Sequence, residues 1–349
     1  MTCKERVKAA FSYMKPDRVP VFAEFVPEVR EKLYEYFGVN DPHQLGVIIG
    51  NDMLMHTEGI QNSYYGPQEE YTCRWGIKWK YFDNPSGRYT EMIERPLSDD
   101  PDGKKLLAYT IPDPTDESIY LPFRELVKKY GNDYFICGSL ACTIFESSWY
   151  LHGLEETIID MVLRPEYMGE LFDKVMQFPL LVGLQMIDEG ADMIWLGDDI
   201  GTQDKMMLSP TLWRETLKPR LAKIITAYKE RNPDIIVAYH SCGYIEPVIE
   251  DLIDIGVDVL NPVQPHAMDP AILKKKYGNR LSFWGSIDIQ YVLPHGTKDD
   301  IYDEVSLRMQ TIGKDGGLLM GPAHNIQADT SIENILAFYE AAKELGKYD

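Results

Sequence analysis

From about residue 116 onward the chain repeats one unit: a helical stretch, then a short apolar run of strand length. Helical Leu121–Tyr130 precedes a strand at Tyr134–Leu140, and Glu155–Leu163 with Pro165–Glu189 precedes Asp192–Leu196. Ser209–Arg231, with Ser209 as N-cap and Pro210 at the first helical position, precedes Ile235–His240. Ile245–Ile255 precedes Val257–Leu260, and Asp269–Lys276 precedes Leu281–Ile287. Thr297–Ile312, opened by a capping box at Thr297 and Asp300, precedes Gly317–Met320. A last helix starts at a second box, Thr330 to Glu333. Apolar strands that alternate with helices imply a parallel sheet covered by helices. With further strands at Val19–Phe25 and near Asp52–Met55, the count favours a closed α/β barrel, a (β/α)8 TIM barrel. No G-x-G-x-x-G follows an early strand and no GxxxxGK[ST] occurs, which disfavours nucleotide-binding open sheets.

Residues 60–115 break the rhythm. Tyr71, Trp75, Ile77, Trp79 and Phe82 alternate loosely with polar residues between Pro and Gly punctuation, which predicts β-hairpins inserted over one mouth of the barrel. No linker or repeat appears, so residues 1–349 are read as one domain.

A net charge of −20 repels phosphate backbones and anionic lipid, which sets nucleic acid and membrane surfaces aside as partners. The first 15 residues lack a signal-like apolar run, and no stretch reaches membrane-spanning length. Five cysteines without a C-x-x-C pair fit a reducing cytoplasm.

Barrel chemistry sits at the C-terminal strand ends. Those ends carry Glu24, Asp198, Asp199, His240, Cys242, Asn261, Gln264, Asp288 and His324. Strand periodicity puts His240 and Cys242 on one face. An imidazole and a thiolate so placed suit zinc, with His324 as a third ligand; a buried cysteine beside a hydrogen-bonded histidine is the competing reading. Asp198 and Asp199 suit acid–base work or helix capping. Cys137 reads as core, Cys142 as nearer the rim, and Met206 and Met207 as packing.

Several segments together resemble the uroporphyrinogen decarboxylase superfamily: Arg18-Val19-Pro20-Val21, the run Gly197 to Gln203 with Leu208-Ser209-Pro210, and His240-Ser241-Cys242-Gly243. Leu260 to Pro265, Trp284 to Asp288, Leu293 to Thr297 and Gly321 to His324 continue the likeness over most of the chain. The resemblance implies a (β/α)8 barrel and one of two chemistries. One is cofactor-free decarboxylation of uroporphyrinogen; the other is zinc-dependent methyl transfer to or from a corrinoid, as in methylcobamide:coenzyme M methyltransferases. The decarboxylases carry arginines near the first strand, where this chain has Val21 to Glu28 with Glu24 and Glu28. The methyltransferases carry H-x-C and a distant cysteine as zinc ligands; here His240 and Cys242 match, and His324 stands at the distant place. The likeness therefore points to the methyltransferase branch. It implies zinc on His240, Cys242 and His324, with Glu24, Asp199 and Asp288 positioning substrate or carrying protons. The implied partners are a small methylated substrate or thiol and a corrinoid (cobalamin) protein, and homodimers are one assembly it allows. The alternatives are a carboxy-lyase, with Asp198 or Asp199 stabilising a cationic intermediate, and a metal- or corrinoid-binding module without turnover.

Overall fold

The computed structural model describes residues 1–60, 69–84 and 87–348. Its strands are β1 Met53–Thr57, β2 Glu70–Thr72, β3 Lys78–Asn84, β4 Gly87–Glu94, β5 Phe135–Ala141, β6 Met193–Gly197, β7 Ile236–His240, β8 Val259–Val263, β9 Ser282–Ile287 and β10 Leu318–Pro322. Seven of them form one sheet in the order β1-β5-β6-β7-β8-β9-β10, and each neighbouring pair is parallel. Parallel neighbours in chain order, joined by helical crossovers, make a curled α/β sheet of the TIM-barrel-like kind. No helix among the described residues is long and apolar enough to cross a membrane.

The expected strand at Val19–Phe25 is not a regular strand. It makes isolated parallel bridges from Val21 to Met320 and from Phe25 to Ile326. Its other edge has one backbone bond, from the Asp52 N–H to the Val21 carbonyl (2.7 Å), and is otherwise held by side chains. Asp52 accepts from the Val21 N–H (2.8 Å), and Asn51 accepts from the Ala23 N–H and donates to the Ala23 carbonyl (3.1 Å each). Pro20 has no N–H to give a ladder. Asp52 itself is fully buried between Arg6 (2.6 Å) and Arg18 (2.7 Å).

Two helices expected to be continuous are broken. Pro165–Val175 gives way to Gln177–Asp188, and Pro210–Thr216 to Lys218–Arg231. Pro179 and Pro219 near the start of each second helix cannot donate to the preceding turn, which explains both breaks. The last helix, Ile332–Leu345, is capped by Ser331 accepting from the Asn334 N–H, not by the expected Thr330–Glu333 pair. The box at Thr297 and Asp300 forms as expected.

Strand alternation sorts the core into two layers. Outward side chains pack under the helices in one large cluster. Inward ones form a second: Phe22, Met53, Phe135, Cys137, Met193, Ala238, Val259, Trp284 and Leu319, with Val7 and Phe11 of the helix Cys3–Phe11. Each large apolar side chain buried here contributes about 1.5–3 kcal/mol. Towards the C-terminal strand ends this inner layer turns aromatic. The Trp284 ring lies 5.4 Å from Phe22 and 5.0 Å from Trp195.

The expected insertion at 60–115 contains the antiparallel sheet β2-β3-β4; residues 61–68 and 85–86 fall outside the described residues. Trp79 packs 5.7 Å from Tyr150, and Trp75 of the β2–β3 turn lies 5.1 Å from Phe178. A short helix, Lys104–Ala108, follows the sheet.

Candidate active site and metal centre

Period-two alternation carries the inner face past the aromatic layer to the strand ends. Asp199 lies four residues beyond Trp195, His240 and Cys242 follow Ala238, and Asn261 follows Val259. The inner face thus changes from apolar to polar at one level, and the polar part holds the rim residues.

The donor atoms of His240, Cys242 and His324 all lie within 4.8 Å of one another. His240 Nδ1 sits 2.7 Å from Asn261 Oδ1, and Asn261 Nδ2 donates to the Trp284 carbonyl at 3.3 Å. That second bond orients the amide, so its oxygen faces His240 and accepts the Nδ1 proton. The Nε2 lone pair then points at Cys242 Sγ (3.6 Å) and Asp199 Oδ1 (3.3 Å). Asp199 Oδ1 also accepts from the Cys242 N–H at 2.7 Å. Three electron-rich atoms converge, and they require a proton or a cation between them. Without a metal a proton takes that place. Burial works against the imidazolium, but the charges and hydrogen bonds of Cys242 and Asp199 lift His240 well above its ordinary value. Asp199 moves the opposite way: burial would raise it, but the His240 contact holds it well below the carboxylate range. Burial pushes the Cys242 thiol up; desolvation by the surrounding groups and the neighbouring His240 charge lower the imidazole of His324, whose residue reaches the surface.

The H-x-C loop is held by close backbone packing. A Cβ on Gly201 would sit 2.6 Å from the Cys242 carbonyl oxygen. One on Gly243, at φ +79°, would meet the Thr202 carbonyl at 2.4 Å. Gln264 Oε1 accepts from the Gly243 N–H at 2.5 Å.

The expected carboxylates take different places. Asp198 is buried and accepts from the N–H groups of Ile144 (3.0 Å) and Glu146 (2.9 Å), so it caps the helix Phe145–His152. Asp288 is buried and accepts from Gln290, Tyr291 and Val292, with His266 Nε2 3.4 Å away. Its geometry is that of a turn cap. Glu24 stands two residues beyond Phe22 on the inner face, and burial pushes it up to about 7 against a partial offset from Arg30. Glu146, which carries no sequence signature, is 8% exposed and pushed up to about 8 by burial and by Asp199 and Asp198.

Residues 93–345 match the uroporphyrinogen decarboxylase (URO-D) family. The chain belongs to that family. A methylated-thiol–coenzyme M methyltransferase from Methanosarcina mazei is 25% identical over 254 residues, which cover 69% of this chain and 63% of that protein. A uroporphyrinogen decarboxylase from Nostoc punctiforme is 25% identical over 186 residues, covering 52% of this chain and 48% of the relative. The chain therefore spans between about half and just under two thirds of these relatives' lengths. The solved structure of a methyltransferase from Methanosarcina mazei superposes with a TM-score of 0.73 over 99% of both chains, at 20% identity, which shows a shared fold.

Within this family fold the structure brings His240, Cys242, His324 and Asp199 together and gives Asp198 and Asp288 capping duties. The sequence named Asn261 only as a rim residue. Its part in fixing His240 depends on the neighbouring Trp284 carbonyl, which no local pattern reveals. Glu146 was missed because it lies in the first turn of the helix Phe145–His152, past the end of β5, where the apolar strand pattern has already stopped.

Proposed function

We propose that this chain is a metal-dependent methyltransferase, with His240, Cys242 and His324 as the ligands of a zinc ion. The observation that carries the reading is their convergence within 4.8 Å, with the His240 lone pair aimed inward by Asn261. A ligand histidine whose second nitrogen is hydrogen-bonded is the usual arrangement around zinc. One thiolate and two neutral imidazoles leave a site of net charge +1 with an open fourth position, as catalytic zinc sites have. Zinc bound there would hold a substrate thiol as its thiolate near neutral pH, or polarise the heteroatom of a methylated substrate.

The protein's own groups supply the rest. Asp199, ionised and 39% exposed, accepts from the Cys242 N–H and lies 3.3 Å from His240 Nε2, so it would position the ligand loop and a substrate bound beside it. Glu24 faces the bound substrate from the opposite edge of the sheet, and Asp288 holds the β9 loop that frames the mouth. The mouth is the docking face for a protein carrying the corrinoid, which receives or delivers the methyl group. The antiparallel sheet β2-β3-β4 flanks that face, and residues 19–25 act as the eighth stave that closes the barrel. Five free cysteines suit a cytoplasmic setting.

A second reading, a carboxy-lyase, is favoured by the relatives named uroporphyrinogen decarboxylase. The carboxyl groups at the mouth count against it, since a polycarboxylate would meet Glu24 and Asp199 there with Arg30 as the basic residue nearest in effect to Glu24. Zinc content and methyl transfer between free methylcobalamin and small thiols are measured on protein purified without chelators. Stoichiometric zinc with transfer activity is expected. A metal-free protein active in transfer, or one that releases carbon dioxide from uroporphyrinogen, refutes the reading.

A further inference from the structure

The mouth is acidic above and aromatic below. Glu24, Glu146 and Asp199 are the carboxyl groups there that are not spent on capping, and none of the three pairs with a lysine or arginine among the described residues; Asp199 pairs with His240, and Glu24 ionises above about 7. Directly beneath His240, the Trp195 ring lies 5.2 Å from the imidazole and 5.0 Å from Trp284.

A second observation is independent of the charge. Ser139 and Ser286 are fully buried, and their hydroxyls have no partner; the Trp195 indole N–H has none either. Ser139 lies two residues beyond Cys137 and is in register with Trp195, so both face the barrel interior, and Ser286 lies near the C-terminal end of β9, two residues beyond Trp284. Ser286 is also held at φ +76°, the left-handed region. Buried hydroxyls without partners are uncommon in native proteins, and their coincidence with strain marks binding sites. These donors are neutral, so they match a neutral oxygen; a carboxylate or sulfonate would bring a charge that the surrounding carboxyls repel.

We propose that the mouth takes a small methylated onium compound, an ammonium or sulfonium, that also carries a neutral oxygen function such as a hydroxyl. Trp195 and Trp284 face the onium methyls, Glu24 and Asp199 supply the counter-charge, and Ser139, Ser286 and the Trp195 N–H take the oxygen. Aromatic faces with nearby carboxylates are the general solution for quaternary ammonium binding. The inference rests on the reading that this mouth is the substrate site, but it does not require the metal.

The test is calorimetric binding, at pH 8, of choline, its neutral isostere 3,3-dimethylbutan-1-ol and the anion 2-mercaptoethanesulfonate. Zinc-loaded and chelator-treated protein are both titrated. Choline is expected to bind about tenfold or more tighter than the isostere in both preparations. Glu24→Gln should cut that preference several-fold, and Ser286→Ala should weaken both alcohols alike. Equal binding of the isostere, tighter binding of the anion to chelator-treated protein, or no choline binding at millimolar concentration overturns the proposal. The wild-type comparison stands whatever the variants do. If zinc fails to bind but the choline preference persists, the metal reading falls and this one holds.

Discussion

Asn261→Ala isolates the feature on which the metal centre depends. The side chain is 5% exposed, accepts the His240 Nδ1 proton at 2.7 Å and donates to the Trp284 carbonyl at 3.3 Å. Truncation frees the His240 ring to exchange tautomers and to rotate, so the Nε2 lone pair is no longer held towards Cys242 and Asp199. Loss of such a partner lowers metal affinity by about 10–100-fold, or about 1.4–2.7 kcal/mol. The orphaned Trp284 carbonyl adds about 1–3 kcal/mol of destabilisation to the fold. Affinity is read by competition with a chromophoric zinc chelator, and stability by urea denaturation. Asn261→Asp, which keeps the acceptor, should retain most of the zinc affinity while losing the bond to Trp284. Nitrogen-15 NMR of the histidines should show His240 as the Nδ1–H tautomer in the zinc-loaded wild type and a mixture in Asn261→Ala. A folded Asn261→Ala that binds zinc as tightly as the wild type would refute the argument.

Further predictions follow from individual contacts. Gly201→Ala forces a Cβ to within 2.6 Å of the Cys242 carbonyl oxygen and should cost about 1–3 kcal/mol, with weakened zinc binding read by the same competition; unchanged binding would mean that the loop is free to shift. Arg18→Ala takes from fully buried Asp52 one of its two cationic partners and should destabilise the protein by about 3 kcal/mol in urea; a change below about 1 kcal/mol would contradict the anchoring role given to Asp52. Glu24 keeps its proton in the folded state up to about 7, against an ordinary value of 4.5. Its contribution to stability is therefore fully present below pH 4.5 and is lost as pH rises towards 7. The melting temperature of Glu24→Gln should gain on the wild type across that window and run parallel to it above, and a constant difference would contradict the burial argument.

The parallel sheet was legible because its strands are continuous apolar runs set between capped helices, a pattern that depends only on neighbouring residues. Val19–Phe25 was expected as a regular strand, but all but one of the bonds on its outer edge come from the side chains of Asn51 and Asp52, about 30 residues away, which the local apolar pattern does not show. The helix breaks were written in Pro179 and Pro219, but amphipathic spacing runs through both and masks them. At the site, H-x-C and His324 were legible because strand ends and spacing are local properties. The division of labour between Asp198 and Asp199 was not. The two are adjacent, and which one caps depends on the position of the Ile144 and Glu146 amides beyond β5. Glu146, the buried serines and the role of Asn261 arise from contacts between strands, and no single stretch of chain encodes them.

The claim that matters most is a zinc ion held by one thiolate and two imidazoles. X-ray absorption at the zinc edge, on protein prepared without chelators, measures this directly. One zinc per chain is expected, with a single sulfur at about 2.3 Å and nitrogen or oxygen neighbours at about 2.0–2.1 Å, and with the sulfur lost in Cys242→Ser. A shell with two protein sulfurs, or a fully active protein without zinc, would contradict it.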